Sequence, residues 1–405
     1  MNQTDVTATG YRWGLITAAF VIMMVISIYQ YSWFLFAYAI QKQFDWALST
    51  IGLTFTVFTY TATFIQPFSG FIADNYGPRK VAVTATILVG VGFILASTAK
   101  TPAMFYLYYG LGGIGVGILY GISTACSIKW FPDKRGLATG LVVFGFGAGT
   151  AVFNWFIQGM LETKGLQATL VYLGIAMLIV LVPLSFLYRY PDQSAAGPAK
   201  KGSGSDAEGS MDFKPSGMLK TYQWYLIYFS FTFTVSIVLM FGAQMKMVAK
   251  EFNLPAGYFS VLLVLFPLGN GLSRVVAGSI SDRIGREKTM VFFYSLLGLS
   301  IICFVFFADI PFLFVIFVFI AALLGGAPFA LYPATVGDYY GTKYATTNYG
   351  ITYTAKAFAG LISGWVSALL VMQFGSFRLP LIFVAIGSLL AAVISMPKFM
   401  KAPRR

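Results

Sequence analysis

Long apolar runs, each of about 20 residues, recur along the whole of this 405-residue chain. A run of that length, wound as an α-helix, crosses the ~30 Å hydrocarbon core of a bilayer. The runs are continuously apolar and lack the alternation of a membrane β-barrel strand. Only 10% of the residues are charged, against roughly 25% in a soluble domain. The sequence therefore predicts an all-α integral membrane protein surrounded by a lipid bilayer.

Twelve such runs predict twelve transmembrane helices. They cover residues 14–40, 50–73, 81–99, 103–128, 136–160, 167–188, 222–249, 256–281, 289–308, 311–336, 345–372 and 377–397. The first run is too long for the core of a cleavable signal, so we expect it to remain as the first span. A break rich in Gly, Ser, Ala and Pro predicts a flexible cytoplasmic linker at 191–220. It separates an amino-terminal six-helix bundle at 1–190 from a carboxy-terminal six-helix bundle at 221–405.

Basic residues are unevenly distributed between the two sides of this predicted topology. Nineteen of the 27 Lys and Arg residues fall on the side of both termini, and six fall on the other side. Lys and Arg are enriched in cytoplasmic loops, so both termini are predicted to be cytoplasmic, in a multi-pass protein of the cell (inner) membrane. The basic residues are dispersed over many loops, so we attribute the net charge of +13 to topology and expect no nucleic-acid partner.

The remaining two cations, Arg274 and Lys356, each stand alone in a long apolar run. No Asp, Glu, Lys or Arg lies between Glu251 and Arg274, or between Lys356 and Arg378. A charge at the bilayer centre costs ~2.5–3.5 kcal/mol or more, so its presence there indicates a function. Two cations without a neighbouring acid predict an anionic ligand, and we expect that ligand to be the substrate.

A short sequence pattern occurs once in each half of the chain, with an offset of 208 residues. It consists of Gly70, Asp74, Gly77 and Lys80 in the first half, and of Gly278, Asp282, Gly285 and Lys288 in the second. Internal duplication is typical of secondary transporters that are built from repeats around a central site. The two six-helix bundles are therefore predicted to be pseudo-symmetric.

The paired loops GFIADNYGPRK and GSISDRIGREK, in a chain of twelve spans, resemble those of the major facilitator superfamily. In that superfamily the loop Asp and its basic neighbours form gate contacts that break and re-form during alternating access. The resemblance implies the same gating role for six residues of this chain, namely Asp74, Arg79, Lys80, Asp282, Arg283 and Arg286.

Within that superfamily the chain more closely resembles the oxalate/formate antiporter family. The segments that carry the resemblance are IYQYSW at 28–33, GILYGI with KWFPDKRGLATG within 117–140, NGLSRV at 270–275 and NYGITYTAKA at 348–357. Arg274 and Lys356 coincide with the two cations that hold the carboxylate substrate in that family. The resemblance implies exchange of small carboxylate anions by alternating access. The residues themselves call for no cofactor, and the two cysteines, Cys126 and Cys303, suggest no metal site.

Helical spacing adds further candidate residues to the substrate-binding site. Tyr353 lies on the same helix face as Lys356, and Asn270 lies one turn before Arg274. The other candidates lie in the first, fourth and tenth spans, at positions that share a helix face or a sequence motif with the binding site of the resembling family. The full predicted set is Arg274, Lys356, Gln30, Tyr31, Tyr120, Tyr353, Phe329, Tyr332 and Asn270.

Other function classes fit the sequence less well. The chain contains no histidine, no carboxylate pair within the spans and no nucleophile motif, so we do not expect an enzyme. The duplicated gate motif argues against a passive channel. The alternative is a proton-coupled monocarboxylate symporter, because that related family also has an arginine in the eighth span. There an aspartate lies one turn before the arginine, where this chain has Asn270.

More than one small carboxylate fits the sequence. The resembling oxalate carriers have a bulky indole at the position of Gly325, which predicts a roomier cavity here. Lactate, pyruvate or malonate therefore stand beside oxalate and formate as candidate substrates. We expect the carrier to act as a monomer.

Overall fold

The chain is helical throughout the part that the structure covers. The computed structural model describes residues 3–131, 135–190, 212–341 and 344–403, and describes the backbone alone at residues 3–10, 70–71, 74–76, 128, 135–137 and 345–346. Every regular element within these ranges is a helix. The prediction of an all-α protein is confirmed.

The amino-terminal half forms six membrane-crossing segments. Its helices are α1 (Gln3–Ile26), α2 (Ile28–Tyr31), α3 (Trp33–Phe44), α4 (Leu48–Phe64), α5 (Gln66–Tyr76), α6 (Pro78–Ser97), α7 (Pro102–Trp130), α8 (Arg135–Ala148) and α9 (Thr150–Ser185). Helices α1 to α3 together make the first crossing, and α4 with α5 makes the second. Helix α9 turns back at Gly165, whose φ of 77° is not helical, so α9 belongs to two crossings.

The carboxy-terminal half repeats this arrangement. Its elements are α10 (Pro215–Met218), α11 (Tyr222–Glu251), α12 (Ala256–Ile284), α13 (Arg286–Phe307), α14 (Pro311–Gly325), α15 (Pro328–Tyr340), α16 (Ala345–Tyr353), α17 (Ala355–Leu361), a π-helix (Ile362–Val366), α18 (Ser367–Phe374) and α19 (Arg378–Ile394). Helices α14 and α15 form one crossing, and α16 to α18 with the π-helix form another.

Length and hydropathy agree with this count of twelve. Ten described stretches are long and apolar enough to span a membrane, and one of them, Ala138–Ser185, has the length of two crossings joined at Gly165. The last crossing, Arg378–Ile394, is a shorter apolar helix of 17 residues. The protein thus has twelve membrane-spanning segments in two pseudo-symmetric bundles of six.

The repeated glycines mark equivalent turns in the two bundles. Gly77 joins α5 to α6 with a φ of 83°, and Gly285 joins α12 to α13 with a φ of 93°. With ψ angles of 144° and 159°, both residues adopt a conformation that is essentially restricted to glycine. We call the end of the protein that contains these two turns the motif end, and the opposite end, which contains Gly165 and Gly375, the far end.

Helices from the two halves touch closely toward the far end. A Cβ atom on Gly52 of α4 would lie 2.8 Å from the carbonyl carbon of Gly364 in the π-helix, so only glycine permits this approach. Nearby, the side-chain amide of Gln244 on α11 donates to the carbonyl of Ser363 at 2.9 Å and to the hydroxyl of Ser367 at 2.6 Å. The Gly52–Gly364 contact closes the far end in this conformation, and the Gln244 bonds fix the π-helix within the second half.

Candidate substrate-binding site

Arg274 lies at the middle of α12, with 5% of its surface exposed. Its Nη1 donates to the backbone carbonyl of Val143 on α8 at 2.9 Å. Its Nη2 lies 3.3 Å from Asn270 Oδ1 and 3.5 Å from the Tyr31 hydroxyl. The guanidinium also lies over the Phe329 ring, 4.7 Å from its centroid. A cation of the carboxy-terminal half is thus held by groups of both halves.

Lys356 lies on α17 and is 3% exposed. Its ammonium is 3.4 Å from the Tyr353 hydroxyl, one helical turn away. It also faces the rings of Tyr353 at 5.4 Å and Phe146 at 5.7 Å. Among the residues that the structure describes, no Asp or Glu forms an ion pair with Lys356 or Arg274.

Aromatic rings join the two cations into one cluster. Phe329, which lies under Arg274, contacts Tyr353, which lies beside Lys356, with ring centroids 6.3 Å apart. The ring of Tyr120 on α7 stacks on Tyr353 at a centroid distance of 6.0 Å. This cluster brings together side chains from both halves in an environment from which water is largely excluded.

Two further predicted residues lie at the edge of this cluster. Tyr332 is one ring removed, because it stacks on Phe231 at 4.7 Å and Phe231 in turn contacts Phe329 at 6.0 Å. Gln30 is completely buried beside Tyr31, and neither its amide nitrogen nor its amide oxygen has a hydrogen-bond partner in the described chain.

Several buried polar atoms of this region lack a hydrogen-bond partner among the described residues. Besides the Gln30 amide, Asn270 Nδ2 and Arg274 Nε are buried without a hydrogen-bond partner among the described residues. Buried donors of this kind normally have partners, so their clustering beside two cations is chemically suited to an oxygen-rich anion. Parallel guanidinium N–H groups match the two oxygens of a carboxylate, and an ammonium adds a compact positive charge.

Comparison with known proteins identifies the family. The model of the Major Facilitator Superfamily matches residues 15–243 and 224–405. The chain belongs to the major facilitator superfamily. It is accordingly a transporter and a multi-pass membrane protein, not an enzyme.

The chain is also similar to individual proteins and, in its fold, to a solved structure. This superfamily member is 32% identical over 391 residues to the oxalate:formate antiporter of Oxalobacter formigenes, a match that covers 95% of this chain and 91% of the antiporter. It is 34% identical over 383 residues to an uncharacterized 38 kDa protein of Thermoproteus tenax, covering 94% of each. A crystal structure of the nucleoside transporter NupG has the same fold, with a TM-score of 0.72, 14% identity and coverage of 95% of this chain and 100% of that one.

At the motif end of the transporter, Arg286 connects three helices of one half. It pairs with Asp282 of α12 at 2.7 Å and with Asp338 of α15 at 3.1 Å, and it also contacts the Ser281 hydroxyl. Arg283 is exposed and forms no ion pair with a described acid. In the first loop, Arg79 and Lys80 are exposed, and the Asp74 side chain lies outside the described residues.

The expectation of extra space at Gly325 is wrong. A Cβ atom there would lie 3.2 Å from the Val238 side chain on α11 and 3.9 Å from Leu297 on α13. The position therefore faces packed neighbouring helices, and no open volume remains for an indole.

Sequence reasoning also missed several groups around the cations. The carbonyl of Val143 binds Arg274, yet a backbone acceptor leaves no signal in the side-chain pattern. Phe146 and Phe231 contact site residues, but single aromatic residues carry little information in a chain that is 18% aromatic. Asp338 could have been predicted as a partner of Arg286. It lies in the last turn of the tenth span, at the same end of the membrane as the repeated loop of the second half.

Proposed function

We propose that this transporter carries small carboxylate anions by alternating access, as an anion exchanger of the oxalate/formate type. The observation that supports this most is the pair of buried cations, Arg274 and Lys356, inside one aromatic cluster with no acid paired to either among the described residues. A carboxylate between them would neutralise charge that the low-dielectric interior otherwise makes costly.

The site residues are proposed to act in different ways. Arg274 binds one carboxylate through its guanidinium, and Lys356 binds the same or a second carboxylate. Tyr31, Tyr120 and Tyr353 supply hydroxyl groups. Asn270 and Gln30 offer amide hydrogen bonds, while Phe329 and Tyr332 form the apolar wall. Small dicarboxylates and monocarboxylates such as oxalate, formate, lactate and malonate all fit this chemistry.

Contacts across the two halves support alternating access about this site. Arg274 belongs to the second half, and its partners Val143 and Tyr31 belong to the first. In this proposal, an amino-terminal bundle at 1–190 and a carboxy-terminal bundle at 221–405 rock against each other, and the segment 191–220 links them. We place both termini in the cytoplasm of a cell (inner) membrane, which makes the motif end the cytoplasmic end, and we propose a monomeric unit. In this scheme Asp74, Arg79 and Lys80, with Asp282, Arg283 and Arg286, control opening at that end.

Obligatory exchange follows from the charges that the site would bury without substrate. Two like charges in a closed, dry cluster repel each other, and a bound anion removes much of that cost. The loaded carrier should therefore reorient faster than the empty one. No histidine occurs in the chain to carry a proton near neutral pH. A proton-coupled monocarboxylate symporter is the alternative, in which a tyrosine, a lysine or water would relay the proton.

Purified protein in liposomes tests this proposal. Vesicles loaded with oxalate, formate, lactate, malonate or buffer are given radiolabelled substrate outside, with and without an imposed proton gradient. Exchange predicts fast uptake only with counter-substrate inside, and a divalent-for-monovalent exchange would also move charge. Fast uptake into empty vesicles that is driven by an inward proton gradient and stopped by an uncoupler would instead establish symport. Absence of uptake with every carboxylate would reject the proposed substrate class.

A further inference from the structure

Asn154 makes an unusual hydrogen bond across the two halves of the protein. Pro267 lies inside α12 and has no backbone N–H, so the carbonyl of Leu263, four residues earlier, lacks its normal helical donor. The side-chain Nδ2 of Asn154 on α9 donates to that carbonyl oxygen at 3.2 Å. Asn154 is completely buried, where an unsatisfied carbonyl would be costly. A side chain of one half thus completes the backbone of the other.

The same amide also holds the first crossing. Ser32 donates its hydroxyl hydrogen to Asn154 Oδ1 at 2.6 Å. Ser32 occupies the break between α2 and α3, directly after Tyr31. The Tyr31 hydroxyl lies 3.5 Å from Arg274. Asn154 is therefore hydrogen-bonded both to the segment that carries Tyr31, through Ser32, and to the helix that carries Arg274, through Leu263.

Helical geometry relates the Leu263 carbonyl to the site. Leu263, Pro267, Asn270 and Arg274 follow one another at intervals of four, three and four residues, so they lie along one face of α12. The Asn154 bond lies on the far-end side of Arg274, because α12 runs from the far end to the motif end. Asn154 and Leu263 belong to different halves, so the hydrogen bond between them must break when the halves separate at the far end.

We propose that Asn154 is a positioning residue of the transport site, which aligns Tyr31 with Arg274 and stabilises the arrangement closed at the far end. The predicted effect on transport rests on the proposed function, whereas the predicted effect on closure of the far end does not. Every cycle passes through a closed arrangement, whereas substrate first binds to an open one. Loss of an interaction that exists only in the closed form lowers the maximal rate more than it changes KM.

Three substitutions test the hydrogen bond to Leu263. Asn154→Ala removes both contacts, and Asn154→Asp retains the shape and the acceptor for Ser32 but removes the amide donor. Pro267→Ala restores a backbone N–H inside α12, which gives the Leu263 carbonyl a helical donor and makes the Asn154 donor redundant. Exchange kinetics are measured for each variant alone and for each Asn154 variant combined with Pro267→Ala, at equal amounts of folded protein.

The expected result is a loss of maximal exchange rate that is larger when Pro267 is present than when it is replaced by alanine. Asn154→Ala and Asn154→Asp each lower the maximal exchange rate about tenfold, the scale of one unsatisfied buried group, with KM changed less than about threefold. In the Pro267→Ala background Asn154→Asp lowers the rate less than about threefold, and Asn154→Ala keeps only the part of its loss that comes from the Ser32 contact. Equal losses in both backgrounds, a change in KM alone, or wild-type rates throughout would overturn the proposal.

A second measurement does not need a transported substrate. Ala37 is 1% exposed and lines the far-end cleft with Gln244 and Met247. An Ala37→Cys reporter is introduced after Cys126 and Cys303 have been replaced by serine, and its labelling rate by a maleimide is followed. Asn154→Ala should raise the rate at least about threefold, and Gln158→Ala, one turn along α9, should not. An unchanged rate with Asn154→Ala would refute the far-end role, even if the wild-type protein transported none of the carboxylates tested.

Discussion

A Cβ atom on Gly147 of α8 would lie 2.8 Å from the α-carbon of Gly271 on α12. The backbones of the two halves are therefore in direct contact at this point. The same Cβ would lie 3.3 Å from Arg274 Nε, so the contact is immediately beside the candidate site. The closed arrangement depends on having no side chain at either glycine.

Gly147→Leu should accordingly prevent full closure around Arg274. Overpacking costs ~1–3 kcal/mol in a well-packed interior, which corresponds to a loss of transport rate of about fivefold or more. Gly140→Leu on the same helix is the control, since a Cβ there meets nothing within 4 Å. Rates are compared in proteoliposomes at equal protein content. If the two variants transport equally well, the glycine contact has no role in closure.

Arg274→Ala should abolish transport and leave a folded, membrane-inserted protein. Truncating one partner of a buried charged contact costs ~2–5 kcal/mol, so binding should weaken at least about 30-fold. Lys288→Ala removes an exposed cation of α13 and serves as control. Substrate binding to the purified protein and thermal unfolding are measured together. Binding at the wild-type affinity would exclude Arg274 from the site.

Lys356→Ala should also abolish transport, because it removes the second positive charge from the cluster. Lys356→Arg keeps the charge but adds a planar group that needs more space beside Tyr353, so we expect partial recovery with altered preference among carboxylates. Uptake of oxalate, formate and lactate is compared for both variants. Wild-type uptake of all three by Lys356→Ala would contradict the assignment.

Arg286→Ala and Asp338→Asn should lower the transport rate by similar, modest factors. Both partners are partly exposed, at 22% and 57% of their side chains, and such pairs contribute only ~0.2–1 kcal/mol. The double variant should be no worse than Arg286→Ala, because both changes remove one network. Asp309→Asn, which breaks the similar pair with Arg378 at the far end, should leave transport unchanged. Additive losses in the double variant would show that the two residues act separately.

Gly325→Trp should reduce stability rather than change substrate preference. The new side chain would meet Val238 where a Cβ is already 3.2 Å away, and overpacking of this kind is destabilising. Gly159→Trp adds an indole to an exposed position with open surroundings and should be tolerated. Thermal unfolding and the oxalate-to-malonate rate ratio are measured for both. A shifted ratio at unchanged stability would restore the interpretation of Gly325 as part of the cavity wall.

The sequence predicted the coarse fold because bilayer burial leaves a strong pattern in composition. It also singled out Arg274 and Lys356, since an isolated charge in an apolar run has a large energetic cost. The breaks at Ser27 and Ser32, which divide the first crossing into three helices, were missed because serine is common in transmembrane segments. Asn154 was missed for another reason: its role depends on Pro267 in a different bundle. Whether Gly325 faces the cavity or a neighbouring helix depends on how α14 is rotated about its axis. The position of one residue in the sequence does not determine that rotation.

The π-helix at Ile362–Val366 has a consequence for evolution within the family. A single π-turn is equivalent to one residue inserted into an α-helix, and each residue rotates the following helix by ~100°. Loss of that residue would turn α18 and move Ser367 away from Gln244, while Lys356, on the other side of the insertion, would keep its place. Homologues without the π-turn should therefore align with a one-residue gap between 362 and 366. They should also carry different partners at the positions of Gly52 and Gln244.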